Sequence, residues 1–511
     1  MRPLANKSLS DLPGSRTHKI LVPLGFGLVA LLLHLWGLDA KSLWGDEAST
    51  AWHSTFSAGE LWTQPITHKP PLYYLLTALF WSPGDSEFAL RMPAALLGAM
   101  TVAISWIFGR ELAGRSTAFW LALLVLLSDI NLHYSQEARH YILLALGWLL
   151  LMLAMVRLLK KAASKMPIPL PDLLLLTLGA LLMVHAHPVG LVYLATSQVA
   201  FWLALALIRP LAWRYFLIPA LLTLAAVLTL LPWLHIALDS AATSFNWLRQ
   251  PSPLQALLEW VSLFGAKSLV HLGGPPIALA AGITLAAVSL AGLFRYWRNN
   301  RVSGVLLAGL MLLPLLALWL AGLVKPVYML RTITPTHLLA MTGLALAVSH
   351  IETIHLRIPT GIVLALVLAL SSWAWRSHYQ KEAWRDLSQQ LQQQAGPGDI
   401  VLLCENQLHR PLWFYLGDRM PRLLYLDRRN RKLRIWRNDE ARWRTFHPAR
   451  NERPPETFWL VDRYGHCPGS IARILYGFTG LRYHAGAKWR GHALALTPWR
   501  TTGSLGHTQP Y

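Results

Sequence analysis

The chain has 511 residues, of which 54% are hydrophobic and 14% charged, and its mean hydropathy is +0.37. A soluble domain does not carry this apolar excess, and repeated apolar runs near the length of a bilayer span are typical of a polytopic helical membrane protein. The formal charge of +21 would also suit nucleic-acid binding, but cytoplasmic loops rich in Lys and Arg give the same balance. We therefore expect a membrane protein with no nucleic-acid partner.

Eleven apolar segments predict transmembrane helices, near residues 20–38, 88–109, 116–130, 141–157, 172–186, 188–208, 215–236, 276–294, 303–322, 332–349 and 357–374. The first follows a basic tail without a small-residue cleavage site, so we expect it to be retained. With a cytoplasmic N-terminus, 16 of the 24 Lys and Arg before residue 375 lie on the cytoplasmic side, as the positive-inside rule requires. Ten of the 14 Asp and Glu before that residue lie on the external side.

Two long external loops and a terminal domain complete the predicted organisation. Loops 39–87 and 237–275 each contain a segment predicted as a short helix, near 70–81 and 253–264. After residue 375 a polar helix is followed by predicted strands near 400–404, 423–426 and 457–462, with a helix around 409–417. This pattern predicts a mainly α-helical transmembrane domain, 1–375, and a small external α/β domain, 376–511.

Both cysteines, Cys404 and Cys467, fall in the predicted α/β domain, each after a predicted strand. Neighbouring parallel strands could bring them within bonding reach, so a disulfide and two unpaired thiols both stay open. Two cysteines without a CxxC motif give no support for a zinc site. The basic run 428–432 is typical of a solvated face, with contact to anionic lipid as the alternative.

Two motifs in the first external loop place charges close to the membrane. LWGDEAST (43–50) carries Asp46 and Glu47 about eight residues after the first predicted span. They are either solvated acids of an interfacial loop, or they supply a base or an ion ligand held at the membrane surface. HKPPLY (68–73) presents Lys69 from a turn stiffened by two prolines, which suits phosphate recognition; snorkelling to lipid phosphate is the simpler account. His68 and Tyr73 flank this cation.

Three later motifs add charges at predicted external span ends. HYSQEARHY (133–141) sets Glu137 and Arg139 beside an apolar boundary, where charges without a purpose are costly. His187, in the turn HAHP, could join His185 as a metal ligand, but a polar cavity wall is the better interpretation. KPVYMLRTITP (325–335) carries Tyr328 and Arg331, and the Arg fork of donors fits phosphate oxygens. A salt bridge from Arg331 to Glu137 or Asp46 is its structural alternative.

External acids and phosphate-type cations together predict a reaction at the lipid–water boundary with an anionic, phospholipid-like substrate. The sequence contains no P-loop, kinase signature, GxSxG or HExxH motif. This argues against ATP use, serine hydrolysis and zinc proteolysis.

The order of these motifs resembles the GT-C membrane glycosyltransferases, in the branch related to protein O-mannosyltransferases and the lipid A aminoarabinose transferase. It is carried by the Asp-Glu pair, KPPLY, YSQEARHY, the outer His-Pro turn and Arg331, and it covers most of the chain. KEAWRD (381–386) and PGDIVL (397–402) also look like the start of the external domain in bacterial members. The resemblance implies a bacterial inner-membrane protein with a periplasmic C-terminal domain.

The resemblance also implies direct, inverting transfer of a sugar from a polyprenyl-phosphate donor to a lipid, glycan or protein acceptor. Asp46 would be the general base, with Glu47 less certain and Glu137 the second acid. Lys69, Arg139 and Arg331 would bind the donor phosphate, and His68, Tyr73, His187 and Tyr328 would line the substrate cavity. His68 replaces the acid found before this lysine in the lipid A enzyme, a departure that speaks against a metal there and against aminoarabinose specificity. Metal dependence varies within the superfamily, so a divalent metal stays open and none is assigned.

A transporter or flippase of a lipid-linked saccharide is the alternative function. It would also need cations near lipid phosphate, but it would place charges through the membrane midplane and show internal repeats. Here polar residues gather on one predicted face, and the sequence shows no inverted repeat.

Overall fold

The computed structural model describes residues 15–64, 66–67, 69–208, 213–234, 236, 249–396, 398–427, 432–437, 442–445, 455–467, 469, 471–479 and 482–501. His68 and residues 428–431 of the predicted basic run therefore lie outside the described residues. The chain forms two compact units. The first contains Met1–Leu38, Phe56–Phe80 and Arg91–Tyr379, and the second contains Asp39–Thr55, Trp81–Leu90 and Gln380–Tyr511.

The helices up to residue 378 are α1 (Ser15–Leu35), α2 (Gly45–His53), α3 (Ala58–Thr63), α4 (Leu72–Ala78), α5 (Glu87–Ala113), α6 (Arg115–Leu127), α7 (Asp129–Ser135), α8 (Tyr141–Ala163), α9 (Leu170–Ala186), α10 (Val189–Leu205), α11 (Trp213–Leu228), α12 (Pro253–Val261), α13 (Ala266–Asn299), α14 (Arg301–Val324), α15 (Leu330–Ile333), α16 (His337–Ser349) and α17 (Ile354–His378). The short helices predicted near 70–81 and 253–264 correspond to α4 and α12.

Apolar helices long enough to cross a bilayer make this a multi-pass membrane protein. Among the described residues six are long and apolar enough, and α6 with α7 adds a seventh span bent by 58°. Four more apolar helices, α1 from Ile20 onwards, α9, α10 and α11, are shorter. Each of the eleven predicted segments therefore corresponds to an apolar helix or helix pair.

Helix α8 lies at the centre of the first unit, and 94% of its most apolar window is buried. It can pack closely against α9 because small residues face each other: a Cβ added to Gly179 would lie 2.7 Å from the Gly147 carbonyl oxygen. Such close backbone approach is typical of helix packing in membranes. A rigid central helix fixes the turn that precedes Tyr141, where several predicted site residues lie.

The second unit contains helices α18 (Trp384–Gln394), α19 (His409–Leu416) and α20 (Ile471–Thr479) around a mixed sheet. Its strands are β1 (Ile400–Leu403), β2 (Arg422–Asp427), β3 (Lys432–Arg437), β4 (Arg442–Thr445), β5 (Thr457–Arg463), β6 (Tyr483–Ala485), β7 (Trp489–Gly491) and β8 (Leu494–Thr501). The order is β4-β3-β2-β1-β5-β8-β6, with β7 also paired to β8. The buried strand β1 runs parallel to β2 and β5, and the other pairs are antiparallel.

A disulfide joins Cys404 to Cys467, with the two Cα atoms 5.5 Å apart. Cys404 directly follows β1, and Cys467 follows the parallel neighbour β5. Carboxyl ends of adjacent parallel strands meet at one sheet edge, which is why the two thiols come within reach. Of the alternatives that the sequence leaves open, the structure contains the disulfide.

Replacing both cysteines by serine is expected to lower the stability of the second unit by about 2–4 kcal/mol, because the bond closes a long loop that the unfolded chain would otherwise leave open. The measurement is the temperature at which this unit becomes sensitive to protease in the full-length, detergent-solubilised protein. Reduced wild-type protein is the control and should behave like the double variant. Equal protease sensitivity of oxidised and reduced protein would contradict the prediction.

Candidate functional site

The turn between α7 and α8 carries a set of buried charged residues. α7 ends at Ser135 and α8 begins at Tyr141, and the Arg139 amide donates to the Glu137 carbonyl over 2.6 Å. Glu137, Arg139 and His140 are 3%, 2% and 1% exposed. Burial of ionic groups at a span end is costly without compensating interactions. This turn is therefore a functional candidate within the first unit.

Three cations surround His140. Burial lowers the pKa of its imidazole well below the ordinary value, and Lys69, His187, Arg139 and Arg331 lower the pKa further. The His140 ring stacks on His187 with centroids 4.6 Å apart, and Tyr73 meets it edge-on at 6.3 Å. Positively charged groups therefore gather beside a neutral imidazole, and Lys69 and Arg139 among them are buried, where water screens charge little.

Arg331 approaches from α15, after the extended residue Met329. Its Nε donates to Met329 Sδ over 2.8 Å. The Tyr134 hydroxyl interacts electrostatically with both Glu137 and Arg331 and hydrogen-bonds to Thr334. The turn before α8 and the segment around α15 therefore meet at Tyr134, and this meeting point brings Glu137 close to the cations.

Glu137 is oriented by a histidine one helical turn earlier. His133 Nε2 lies 2.9 Å from Glu137 Oε2, and the Trp375 indole N–H donates to His133 Nδ1 over 2.7 Å. An indole nitrogen can only donate, so His133 Nδ1 is the acceptor and Nε2 carries the proton. The imidazole therefore donates to the buried carboxylate and fixes its direction.

His133→Phe is expected to destabilise the protein by about 1–3 kcal/mol, because the buried Glu137 carboxylate loses a donor that nothing replaces. His133→Gln retains a donor and should lose less than half as much. The two variants are compared by thermal unfolding of the detergent-solubilised protein. Equal losses would show that the ring packing of His133, and not its hydrogen bond, is what matters.

The predicted acid pair lies in the second unit, in the first turn of α2. The Glu47 carboxylate is fully buried and pairs with the Lys381 ammonium over 2.8 Å. Asp46 is only partly buried. Glu382 Oε2 accepts from the Gly45 amide at 3.1 Å and from the Trp384 indole at 2.6 Å. The two adjacent acids therefore have different surroundings, although the sequence gives them the same local context.

The predicted site residues fall into three groups. Lys69, Arg139, Arg331, His187 and Tyr73 all interact with His140, and Glu137 joins them through Tyr134. Asp46 and Glu47 belong to the second unit. Tyr328 is in the first unit, where its hydroxyl donates to the Ala256 carbonyl at 3.0 Å and burial raises its pKa.

An apolar cavity of about 480 Å³ adjoins the segment that carries Arg331. Its walls come from α12, α13, α14 and the residues before α15, with Trp260, Trp319 and Tyr328 among them. Tyr328 lies three residues before Arg331. A hydrocarbon group can therefore be accommodated close to one of the three cations.

No three His, Cys, Asp or Glu side chains come together as a potential metal site within the part of the chain that the structure describes. His185 Nε2 lies 2.8 Å from the Thr229 hydroxyl, whereas His187 Nδ1 accepts from the Val189 amide at 3.1 Å. The two histidines thus have different partners. We assign no metal to this turn.

The structure adds four residues that sequence reasoning did not assign to the site: His140, His133, Trp375 and Lys381. His140 and His133 lie inside the HYSQEARHY motif, so their spacing on either side of Glu137 was a usable signal. Trp375 and Lys381 are more than 230 residues from their partners, and no local pattern indicates those pairings.

No protein-family model and no curated protein matches the sequence. Among solved structures, ArnT from Cupriavidus metallidurans in the apo state, a lipid A aminoarabinose transferase, matches with a TM-score of 0.61 at 13% identity, over 97% of this chain and 100% of ArnT. The Archaeoglobus fulgidus oligosaccharyltransferase, in complex with zinc and sulfate, matches with a TM-score of 0.50 at 15% identity, over 78% of this chain and 62% of that protein. Both are GT-C proteins. This chain has the GT-C fold.

The GT-C fold agrees with the fold class that the motifs predict. A further structure of ArnT, bound to undecaprenyl phosphate, aligns with a TM-score of 0.48 over 95% of this chain and 99% of ArnT. In this chain's version of the GT-C fold, the cations Lys69, Arg139 and Arg331 all belong to the first unit.

Proposed function

We propose that this protein is a glycosyltransferase that moves a sugar from a polyprenyl-phosphate donor to an envelope acceptor. The reaction would take place on the periplasmic face of a bacterial inner membrane. The observation that carries the proposal is the set of three cations, Lys69, Arg139 and Arg331, around the neutral His140. Lys69 and Arg139 are buried and Arg331 is half-buried, and a phosphate attached to a lipid is an anion that reaches cations at the membrane boundary.

The three cations would act on the leaving group. When the glycosidic bond breaks, negative charge grows on the carrier phosphate, and fixed donors in a poorly hydrated site stabilise that charge most effectively. Lys69 is 9% exposed and Arg139 is 2% exposed, so water screens them little. The stacked rings of His140 and His187 and the nearby Tyr73 would form the wall beside the phosphate.

The apolar cavity supports an isoprenoid carrier. It lies next to the segment of Arg331, so a phosphate at this arginine could extend its hydrocarbon chain between Trp260, Trp319 and Tyr328. A water-soluble sugar nucleotide would have no use for such a cavity. ArnT itself has been crystallised with undecaprenyl phosphate, which makes this lipid a suitable probe.

Asp46 is our candidate for the general base, on the basis of its motif and its partial exposure. An acceptor hydroxyl or amine must lose a proton as it attacks the anomeric carbon, and a nearby carboxylate can accept it. Glu137, held by His133, is the second acid that we assign to the reaction. Direct displacement of the phosphate would invert the anomeric configuration.

Two measurements test the proposed function. Undecaprenyl phosphate should bind the purified protein in nanodiscs, and a neutral polyprenol of equal length should bind much more weakly. Mass spectrometry of envelope glycolipids and glycoproteins, with and without the protein, should show one sugar missing from one acceptor. Equal binding of the phosphate and the alcohol would contradict the phosphate site, and an unchanged envelope would contradict the transfer.

A further inference from the structure

The helix that carries the acid pair, α2, is held within the second unit at two points. Lys381 pairs with Glu47 at 2.8 Å, with 2% and 0% of the two side chains exposed. One residue further along, Glu382 accepts from the amide of Gly45, the first residue of α2. Lys381 and Glu382, which are adjacent in the sequence, therefore fix a side chain and the backbone of the same turn of α2.

The Glu382 anchor is itself braced by the disulfide region. Arg463 pairs with Glu382 at 3.0 Å and with Glu405 at 3.3 Å, and Glu405 directly follows Cys404. His466, next to Cys467, lies 2.8 Å from the other Glu405 oxygen. A Cβ added to Gly45 would lie 3.7 Å from the Arg463 guanidinium. A continuous chain of charged groups therefore connects the disulfide to the start of α2.

A buried, paired carboxylate and a partly exposed one differ in how well they can act as a general base. A fully buried carboxylate paired with an ammonium group has already paid its desolvation cost and is poorly placed to take a proton from an incoming acceptor. Asp46, on the same turn, is partly exposed and can meet a substrate. Arg410 also contacts α2 and donates to the Ser49 hydroxyl at 2.9 Å.

We propose that Lys381 and Glu382 are positioning residues for the reaction: through Glu47 and the Gly45 amide they fix α2, so that Asp46 is held in place as the base. Glu47 is then an anchor and not a second base. This inference rests on the proposed function of Asp46. It assigns a positioning role to Lys381 and Glu382, at the start of the segment Gln380–Tyr511.

The first test measures how firmly α2 is held, without any assay of transfer. Hydrogen exchange of the α2 amides in the full-length protein should become about tenfold faster or more in Lys381→Met, because the local opening free energy falls. Lys381→Arg retains the cation and should restore protection. The matched control is Lys267→Met, which breaks an exposed pair with Glu259 and should leave α2 exchange unchanged. Equal α2 exchange in Lys381→Met and wild type would overturn the anchoring.

The second test separates a positioning role from a purely structural one. Lys381→Met should lower kcat by about 10²-fold, as expected when a catalytic group is displaced by an ångström, while KM for the donor changes less than twofold. The double variant E47Q/K381M removes both charges of the buried pair together, so it should recover α2 protection and have a higher kcat than Lys381→Met. A double variant with wild-type protection and a kcat no higher than that of Lys381→Met would show that Glu47 itself takes part in the chemistry, which overturns the proposal. If wild-type protein catalyses no transfer, the proposed function fails, while the exchange measurements still decide the anchoring.

Discussion

Asp46→Asn is expected to lower kcat by about 10²–10⁴-fold, the usual contribution of a general base. The amide has nearly the same shape as the carboxylate but cannot accept the acceptor's proton. Lys69, Arg139 and Arg331, to which we assign the phosphate, are unchanged in this variant, so the affinity for undecaprenyl phosphate should change less than twofold. Transfer rate and lipid binding are measured on the same nanodisc preparation.

The matched control for this variant is Asp39→Asn. Asp39 is another acid of the same loop and is exposed, so the change of charge is identical while the proposed chemistry is untouched. Asp39→Asn should therefore transfer sugar at the wild-type rate. An Asp46→Asn protein with full activity would remove Asp46 from the mechanism, and a parallel loss of lipid binding would show that the substitution disturbs the fold as a whole.

The apolar pattern predicts the membrane part of the fold because only a few backbone structures are stable in the hydrocarbon core of a bilayer. An apolar run such as that of α8 must be helical to satisfy its backbone polar groups in lipid. The span predicted near 141–157 lies within α8. The lengths are less well predicted. The segment near 116–130 continues as the bent pair α6 and α7, since Ser128 is extended between the two helices.

The sheet of the second unit is predicted only where strands are buried. β1, β2 and β5 lie at or next to its centre and read as apolar runs, and all three are confirmed. The apolar pattern does not predict β8, which contains Pro498, and a proline argues against a strand bonded on both sides. The pattern does not predict the hairpin of β3 and β4 either, since its sequence is rich in Arg and has no apolar run.

Local motifs predict which charges belong to the site, and distant contacts decide how each one is used. HYSQEARHY predicts Glu137 and Arg139, and both are buried beside His140 and His133. The family resemblance favours Asp46 over Glu47 as the base, but the different surroundings of the two acids come in part from Lys381, 334 residues away. Pairings over such distances depend on the folded chain and leave no trace in local spacing.

Charge reversal at Arg331 is expected to weaken binding of undecaprenyl phosphate by about 10²-fold or more. A hydrogen bond to a charged group contributes about 1.5–3 kcal/mol, and Arg331→Glu both removes that contribution and adds repulsion. Arg331→Lys keeps the charge but loses the planar fork of donors, so its affinity should lie between those of wild type and Arg331→Glu. Equilibrium binding in nanodiscs at fixed ionic strength gives the three values.

Lys69→Glu should have a similar effect, and Lys267→Glu is the control for both. Lys267 is also in the first unit, but 53% of its side chain is exposed, so solvent screens its charge. Its reversal should change lipid affinity less than twofold. If reversals at Lys69, Arg331 and Lys267 weakened binding equally, the protein would be attracting the lipid by overall charge. A loss of affinity confined to the Lys69 and Arg331 variants would instead show a defined binding site. Lys69 and Arg331 both interact with the buried, neutral His140, whereas Lys267 pairs with Glu259.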